Sequence, residues 1–245
     1  MSAQRESTHW GFWGTLAWGL LIAAAFLAVQ TVASVAVVML ANPGAPADDV
    51  VPLLIAAVSD GNVFAWSIVT TTVVCGLAIL GVVKLKRGSD LRGYLCLVPV
   101  GRGTLLKWLG LLAAFAVASD LVTVYVMHRP VVPEAMAPVF TSARPVWLLW
   151  IALVAGAPLF EELFFRGFLF RGFEASFLGP AGTTIVTSAL WTAIHVQYDA
   201  YQLATLFLLG LLFGAARAAS RSTLLPMAMH AATNVLASVQ AALYL

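Results

Sequence analysis

The chain has 245 residues, of which 61% are hydrophobic and only 10% charged, against roughly 45–50% and about 25% in soluble domains. That composition excludes an ordinary soluble globular protein, because lipid is the solvent that removes the need for a polar surface. A formal net charge of +2, with the 13 basic residues scattered, excludes a nucleic-acid-binding patch.

A membrane-crossing helix needs about 20 mostly apolar residues. Such runs are predicted at 14–41, 62–83, 104–127, 146–176, 180–198, 201–218 and 222–244. The first is too long for the apolar part of a signal peptide and reads as a retained span. The stretch from Pro52 to Ser59 is apolar but short, lies between Asp48-Asp49 and Asp60, and reads as an interfacial helix. The expected fold is therefore all-α: a polytopic transmembrane helical bundle of about seven spans plus a short interfacial helix. No linker, low-complexity tract or inverted repeat divides it, so one membrane domain is expected over 1–245. Cys75 falls in an apolar run and Cys96 in a basic stretch, which gives neither a disulfide framework nor metal-ligand spacing.

Seven spans put the termini on opposite sides. With the N-terminus inside, the cytoplasmic side holds Arg5, Lys84, Lys86, Arg87, Arg92, Arg102, Lys107, Arg166, Arg171, Arg217 and Arg221, and the outer side keeps Arg129 and Arg144. The positive-inside rule thus predicts an integral plasma (inner) membrane protein with a cytoplasmic N-terminus and an outer C-terminus.

Ionisable side chains within spans are costly and mark function by default. They gather in the C-terminal hundred residues: Glu161, Glu162 and Arg166 in the fourth run, His195 in the fifth, His230 and Asn234 in the seventh. Asp120, in the third run, stands apart. Glu162 and Arg166 are four residues apart and share a helix face, so they can pair. Glu161 lies about 100° round the helix and is left as the free carboxylate. His230 and Asn234 also share a face. At about 1.5 Å per residue, Glu161 and His195 lie at similar depths, whereas His230 is shallower and would need a tilt or a break at Pro226. These groups suit amide hydrolysis: Glu161 to take a proton from water, His195 to help hold that water, and His230 and Asn234 to donate to the developing oxyanion.

The three elements stand in order as Glu161-Glu162-x-x-x-Arg166, Trp191-x-x-x-His195 and His230-x-x-x-Asn234. In this they resemble the CAAX protease and bacteriocin-processing family of intramembrane peptidases, also called the Abi family, which includes the type II CAAX prenyl endopeptidases. The run Arg166-Gly167-Phe168-Leu169 fits the family's continuation, and the resemblance covers about residues 146–240. One departure is Trp191, where the family usually has Phe; it keeps an aromatic wall and should alter packing more than chemistry. The resemblance implies a catalytic core over 146–240, with Glu161 activating water and Glu162 and Arg166 in support. It implies His195 near the water and His230 with Asn234 as the oxyanion site. The implied partners are a lipid bilayer and a membrane-associated peptide or protein substrate.

Two His and a Glu can form a zinc set, so a divalent metal such as zinc is one reading. Single histidines on separate helices lack the HExxH arrangement, and Asn234 is a poor zinc ligand, so the favoured reading requires no cofactor. Bland readings stand beside these: an ion pair that fixes packing for Glu162 and Arg166, a hydrogen-bonded interior imidazole for His195, and interhelical polar contacts for His230 and Asn234. Gly210 and Gly214, spaced as GxxxG, read as close packing inside the monomer. Tyr198, Asp199 and Tyr201 read as an outer interfacial loop. The functional alternatives are a non-catalytic peptide-binding immunity or regulatory protein, and a small carrier using Glu and His as a proton relay.

Overall fold

The computed structural model describes residues 8–245; Arg5, which enters the charge asymmetry, lies outside the described residues. The described residues form helices and no strand. In chain order these are α1 (Phe12–Ala41), α2 (Ala47–Ala57), α3 (Gly61–Leu85), α4 (Leu91–Tyr94), α5 (Arg102–Val126), α6 (Ala137–Ser142) and α7 (Val146–Glu174), then α8 (Gly179–Ala193), α9 (Ala200–Ser220) and α10 (Leu224–Tyr244).

Local chemistry sets the boundaries. Asp60 caps α3 by accepting from the N–H groups of Asn62 and Val63 at 2.8 and 3.0 Å, which satisfies two of the donors that every helix start leaves open. Asp199 and Gln202 form a reciprocal capping box at the start of α9. Pro180 occupies the first turn of α8, where its missing N–H costs nothing. The predicted interfacial segment is the helix α2, which carries Asp48 and Asp49 in its first turn, where the helix dipole favours negative charge.

Five helices, α1, α3, α5, α7 and α9, are long and apolar enough to cross a membrane, and they make this an integral membrane protein. The other two expected spans form helices that fall short of those measures. The α8 helix has 15 residues, and α10 has the length but carries His230, Asn234 and Gln240. Seven crossings are therefore not shown by length and composition.

The α7 helix is the most enclosed of the five and α5 the most open. Around α7 lies a continuous apolar core that includes Cys75 and Ile79 of α3, Phe160, Phe164 and Phe168 of α7, Trp191 of α8, Phe213 of α9 and Met229 of α10. Large apolar side chains such as Leu20, Leu77, Leu106 and Val117 face outward, which is the expected surface of a protein dissolved in hydrocarbon. Gly210 and Gly214 work within the chain. A Cβ on Gly210 would stand 3.1 Å from both Ser188 and Trp191, and one on Gly214 would stand 2.7 Å from Thr184, so α9 lies directly against α8.

Candidate active site

The site is built on α7, and two wide turns of that helix decide how its neighbours attach. At the first, the N–H of Ala157 bonds to the carbonyl of Ala152, five residues back rather than four. The next residue, Pro158, has no N–H to offer. The carbonyl of Leu153 is thus left without a helical donor, and Asn234 of α10 donates to it through Nδ2 at 2.6 Å. At the second wide turn, Leu163–Leu169, the N–H of Phe170 points to the carbonyls of Gly167 and Phe165. This frees the carbonyl of Arg166, which accepts from Arg217 Nε at 2.9 Å and Thr223 Oγ1 at 3.3 Å. Backbone groups that a regular helix would have consumed therefore anchor α9 and α10.

The second anchor corrects the depth argument for His230. The α10 helix starts beside Arg166, about two turns short of the α7 end at Glu174, because Thr223 bonds there. It then runs without a break through Pro226, so no interruption at Pro226 is needed. His230 Nδ1 reaches Glu162 Oε1 at 3.0 Å.

Glu162 and Arg166 form the expected ion pair, at 3.0 Å and fully buried. Arg166 Nη2 donates to the carbonyl of Gly210 at 3.3 Å, and its guanidinium lies 5.0 Å from the centre of the Trp191 ring and 5.6 Å from that of Phe213. Glu162 Oε1 thus serves both Arg166 and His230, while its Oε2 is buried without a partner among the described residues.

Glu161 is not drawn into that pair. Its Oε2 accepts from the indole Nε1 of Trp191 at 2.5 Å, and its side chain is half-buried. Trp191 connects the rest, because its ring meets His195 edge to face at 5.0 Å and His230 edge to face at 5.6 Å. From the sequence, Trp191 is expected to alter packing more than chemistry. A phenylalanine there could not supply this donor, so the departure from the family pattern touches the chemistry.

His195 was expected inside the fifth span, yet α8 ends at Ala193 and His195 follows it. The last turn tightens, with the N–H of His195 bonding to the carbonyl of Thr192 at 3.0 Å. The carbonyl of Trp191 is then free for the imidazole, whose Nδ1 lies 2.8 Å away. A carbonyl can only accept, so Nδ1 carries a proton, and in the neutral imidazole Nε2 is the acceptor. Tyr198 stacks on this ring at 6.1 Å and 9°. Burial pushes its phenol up to about 12, with the nearby charge of Glu161 adding to the effect, and it remains an O–H donor. Sequence reasoning placed Tyr198 only as an interfacial anchor. Its aromatic ring three residues after His195 was the signal available.

Asp120, unexplained by sequence, accepts from Gln240 Nε2 of α10 at 2.7 Å. No three His, Cys, Asp or Glu side chains among the described residues are grouped to hold a metal ion.

Glu161, His195 and His230 all meet the Trp191 side chain, and together with the apolar helices this defines the class: a polytopic helical membrane protein with a polar cluster among its C-terminal helices. Residues 143–236, which contain Glu161, Glu162, Arg166, His195, His230 and Asn234, match the family model described as type II CAAX prenyl endopeptidase Rce1-like, and this shows for that segment the family resemblance carried by the three motifs. Among curated proteins, an uncharacterized 24.3 kDa protein of Escherichia coli is 38% identical over 91 residues, which is 36% of this chain and 42% of that protein. The match therefore spans less than half the length of this relative. No solved structure matches.

Proposed function

We propose that this protein is an intramembrane endopeptidase that hydrolyses a peptide bond of a membrane-associated protein or peptide through a water activated by Glu161. The observation that carries this reading is the division of labour between adjacent carboxylates. Glu162 is committed to Arg166 and His230, whereas Glu161 is oriented by one indole N–H and keeps its second oxygen free for water.

In this reading Glu161 takes a proton from water held also by His195 Nε2, and the hydroxide adds to the scissile carbonyl carbon. The carbonyl oxygen becomes an oxyanion. Asn234 has two amide protons and spends one on Leu153, which leaves the other for that oxygen. The His230 imidazole, held by Glu162 at Nδ1, is the second group assigned to that oxygen. Collapse breaks the C–N bond, and the proton held by Glu161 passes to the leaving amine. Among the described residues Glu161, His195 and His230 are not grouped as a metal set, and protein side chains supply the base and the donors. Cleavage is accordingly expected to survive exhaustive treatment with a chelator.

The basic side chains Lys84, Lys86, Arg92, Arg171 and Arg221 lie near one end of the helices and Arg129 and Arg144 near the other. This arrangement supports a cytoplasmic N-terminus in the inner membrane.

The test is cleavage of a candidate peptide library by purified protein in sealed vesicles. Glu161→Gln is expected to abolish cleavage while leaving insertion and thermal stability unchanged. Retained cleavage by a folded Glu161→Gln protein removes the proposed base, and a biological effect that survives the substitution points instead to non-catalytic peptide binding.

A further inference from the structure

Three cavities at the Arg129 end of the molecule share walls and lead toward the site. The outermost, about 350 Å³, is bounded by Arg129, Glu134, Gln197 and Asp199. The middle one, about 170 Å³, shares Arg129 and Pro133 with it and adds Asp120, Thr123 and Tyr198. The innermost, about 130 Å³, is bounded by Leu153, Tyr198, Asn234 and Ser238. Tyr198 and Pro133 line both inner cavities, and the Asp120–Gln240 hydrogen bond stands between them, since Asp120 lines one and Gln240 the other.

The charges along this path do not balance. Arg129 is paired with Asp199 and lies 5.6 Å from the centre of the Tyr201 ring. No ion pair among the described residues includes Asp120 or Glu134. The hydrogen-bond partner of Asp120 is a neutral amide, and a carboxylate inside a span without a cation is expensive. A cavity of about 150 Å³ accepts a benzene-sized group, so the middle cavity has room for one long side chain. A second, independent feature also asks for an occupant: Ser238 is 1% exposed and its hydroxyl, on the wall of the innermost cavity, has no partner among the described residues.

We propose that the middle cavity is a specificity subsite for a basic side chain of the bound peptide. Asp120 supplies the counter-charge to its ammonium or guanidinium group, and the peptide main chain passes Tyr198 toward Ser238 and Asn234. The word substrate here rests on the peptidase reading, but the binding does not require cleavage.

Binding is therefore measured on the full-length Glu161→Gln protein in lipid nanodiscs. The probes are three otherwise identical blocked apolar peptides that carry Lys, Gln or Glu at one position, scanned along the peptide. At one position the Lys peptide is expected to bind roughly tenfold more tightly than the Glu peptide, as a single partly buried charge pair allows. In Asp120→Asn, which keeps an acceptor for Gln240, that ratio falls to about one, and in Asp120→Lys it reverses. A purely structural role for Asp120 would weaken all three peptides equally and leave the ratio unchanged. An unchanged ratio in Asp120→Asn, equal affinities throughout, or no measurable binding of any peptide overturns the proposal. Preserved Lys selectivity, with no cleavage of any peptide by the protein that retains Glu161, would instead overturn the peptidase reading and leave the subsite standing.

Discussion

The indole Nε1 of Trp191 donates to Oε2 of Glu161, so the orientation of a carboxylate on one helix is fixed by an aromatic side chain on another. A hydrogen bond to a charged group contributes about 1.5–3 kcal/mol. Trp191→Phe keeps an aromatic ring and removes the donor, so kcat for peptide cleavage is expected to fall roughly tenfold, and the unfolding midpoint should drop as well because the bond and part of a buried ring are lost. An unchanged kcat would show that the indole only fills space.

The fully buried pair Glu162 and Arg166 predicts asymmetric costs. Arg166→Met leaves a buried carboxylate without its cation and should destabilise by about 3–5 kcal/mol, whereas Glu162→Gln combined with Arg166→Met leaves no unpaired charge and should cost less. Thermal unfolding in detergent of the single and double variants decides the order. A double variant less stable than the single one would refute the pairing argument.

Gly210 lies against the Trp191 ring. The methyl of Gly210→Ala pushes on Ser188 and on that ring, at a cost of about 1–3 kcal/mol for overpacking. Because the ring carries the donor to Glu161, turnover should suffer more than folding does. The comparison of kcat with the unfolding midpoint across Gly210→Ala and Gly76→Ala provides the check, since a methyl on Gly76 meets nothing within 4 Å.

Two groups at the Arg129 end give opposite pH signatures. The N–H of Gln202, reinforced by Arg129, holds the Asp199 carboxyl below the usual range. Its contribution to stability is thus complete above the ordinary aspartate value near 3.9 and disappears as pH falls through the depressed folded value. Wild type and Asp199→Asn should differ in unfolding midpoint at neutral pH, begin to converge only as pH drops below about 4, and meet below the depressed folded value. The Tyr198 phenol, pushed up to about 12 mainly by burial, works the other way. Its contribution is complete below the ordinary value near 10 and is lost as pH rises through the folded one. Tyr198→Phe should remove that alkaline component.

Helix positions were largely legible because hydrocarbon imposes long apolar runs. Expected spans at 62–83 and 104–127 became Gly61–Leu85 and Arg102–Val126, and the Glu162–Arg166 pair followed from their four-residue spacing. What could not be read was where helices deviate from regular geometry. The stretch from Thr183 to Tyr198 contains no proline or glycine to stop α8 at Ala193, and apolarity continues through Val196, so the sequence reads as helical at His195. The wide turn before Pro158 and the carbonyl it releases to Asn234 leave no periodic trace, although the proline itself was visible. Nor does hydropathy show that α10 starts beside Arg166, which is why His230 looked too shallow. The indole of Trp191 is visible in the sequence, but an aromatic residue at that position signals ring volume and does not reveal which carboxylate its N–H will reach.

The 15 residues of α8 rise only about 22 Å, whereas the hydrocarbon interior of a bilayer measures about 30 Å. On the peptidase reading, a site reached from the end of so short a helix would be hydrated through locally thinned lipid and not through an open channel in the bundle, and turnover should then fall as the acyl chains of reconstituted vesicles are lengthened.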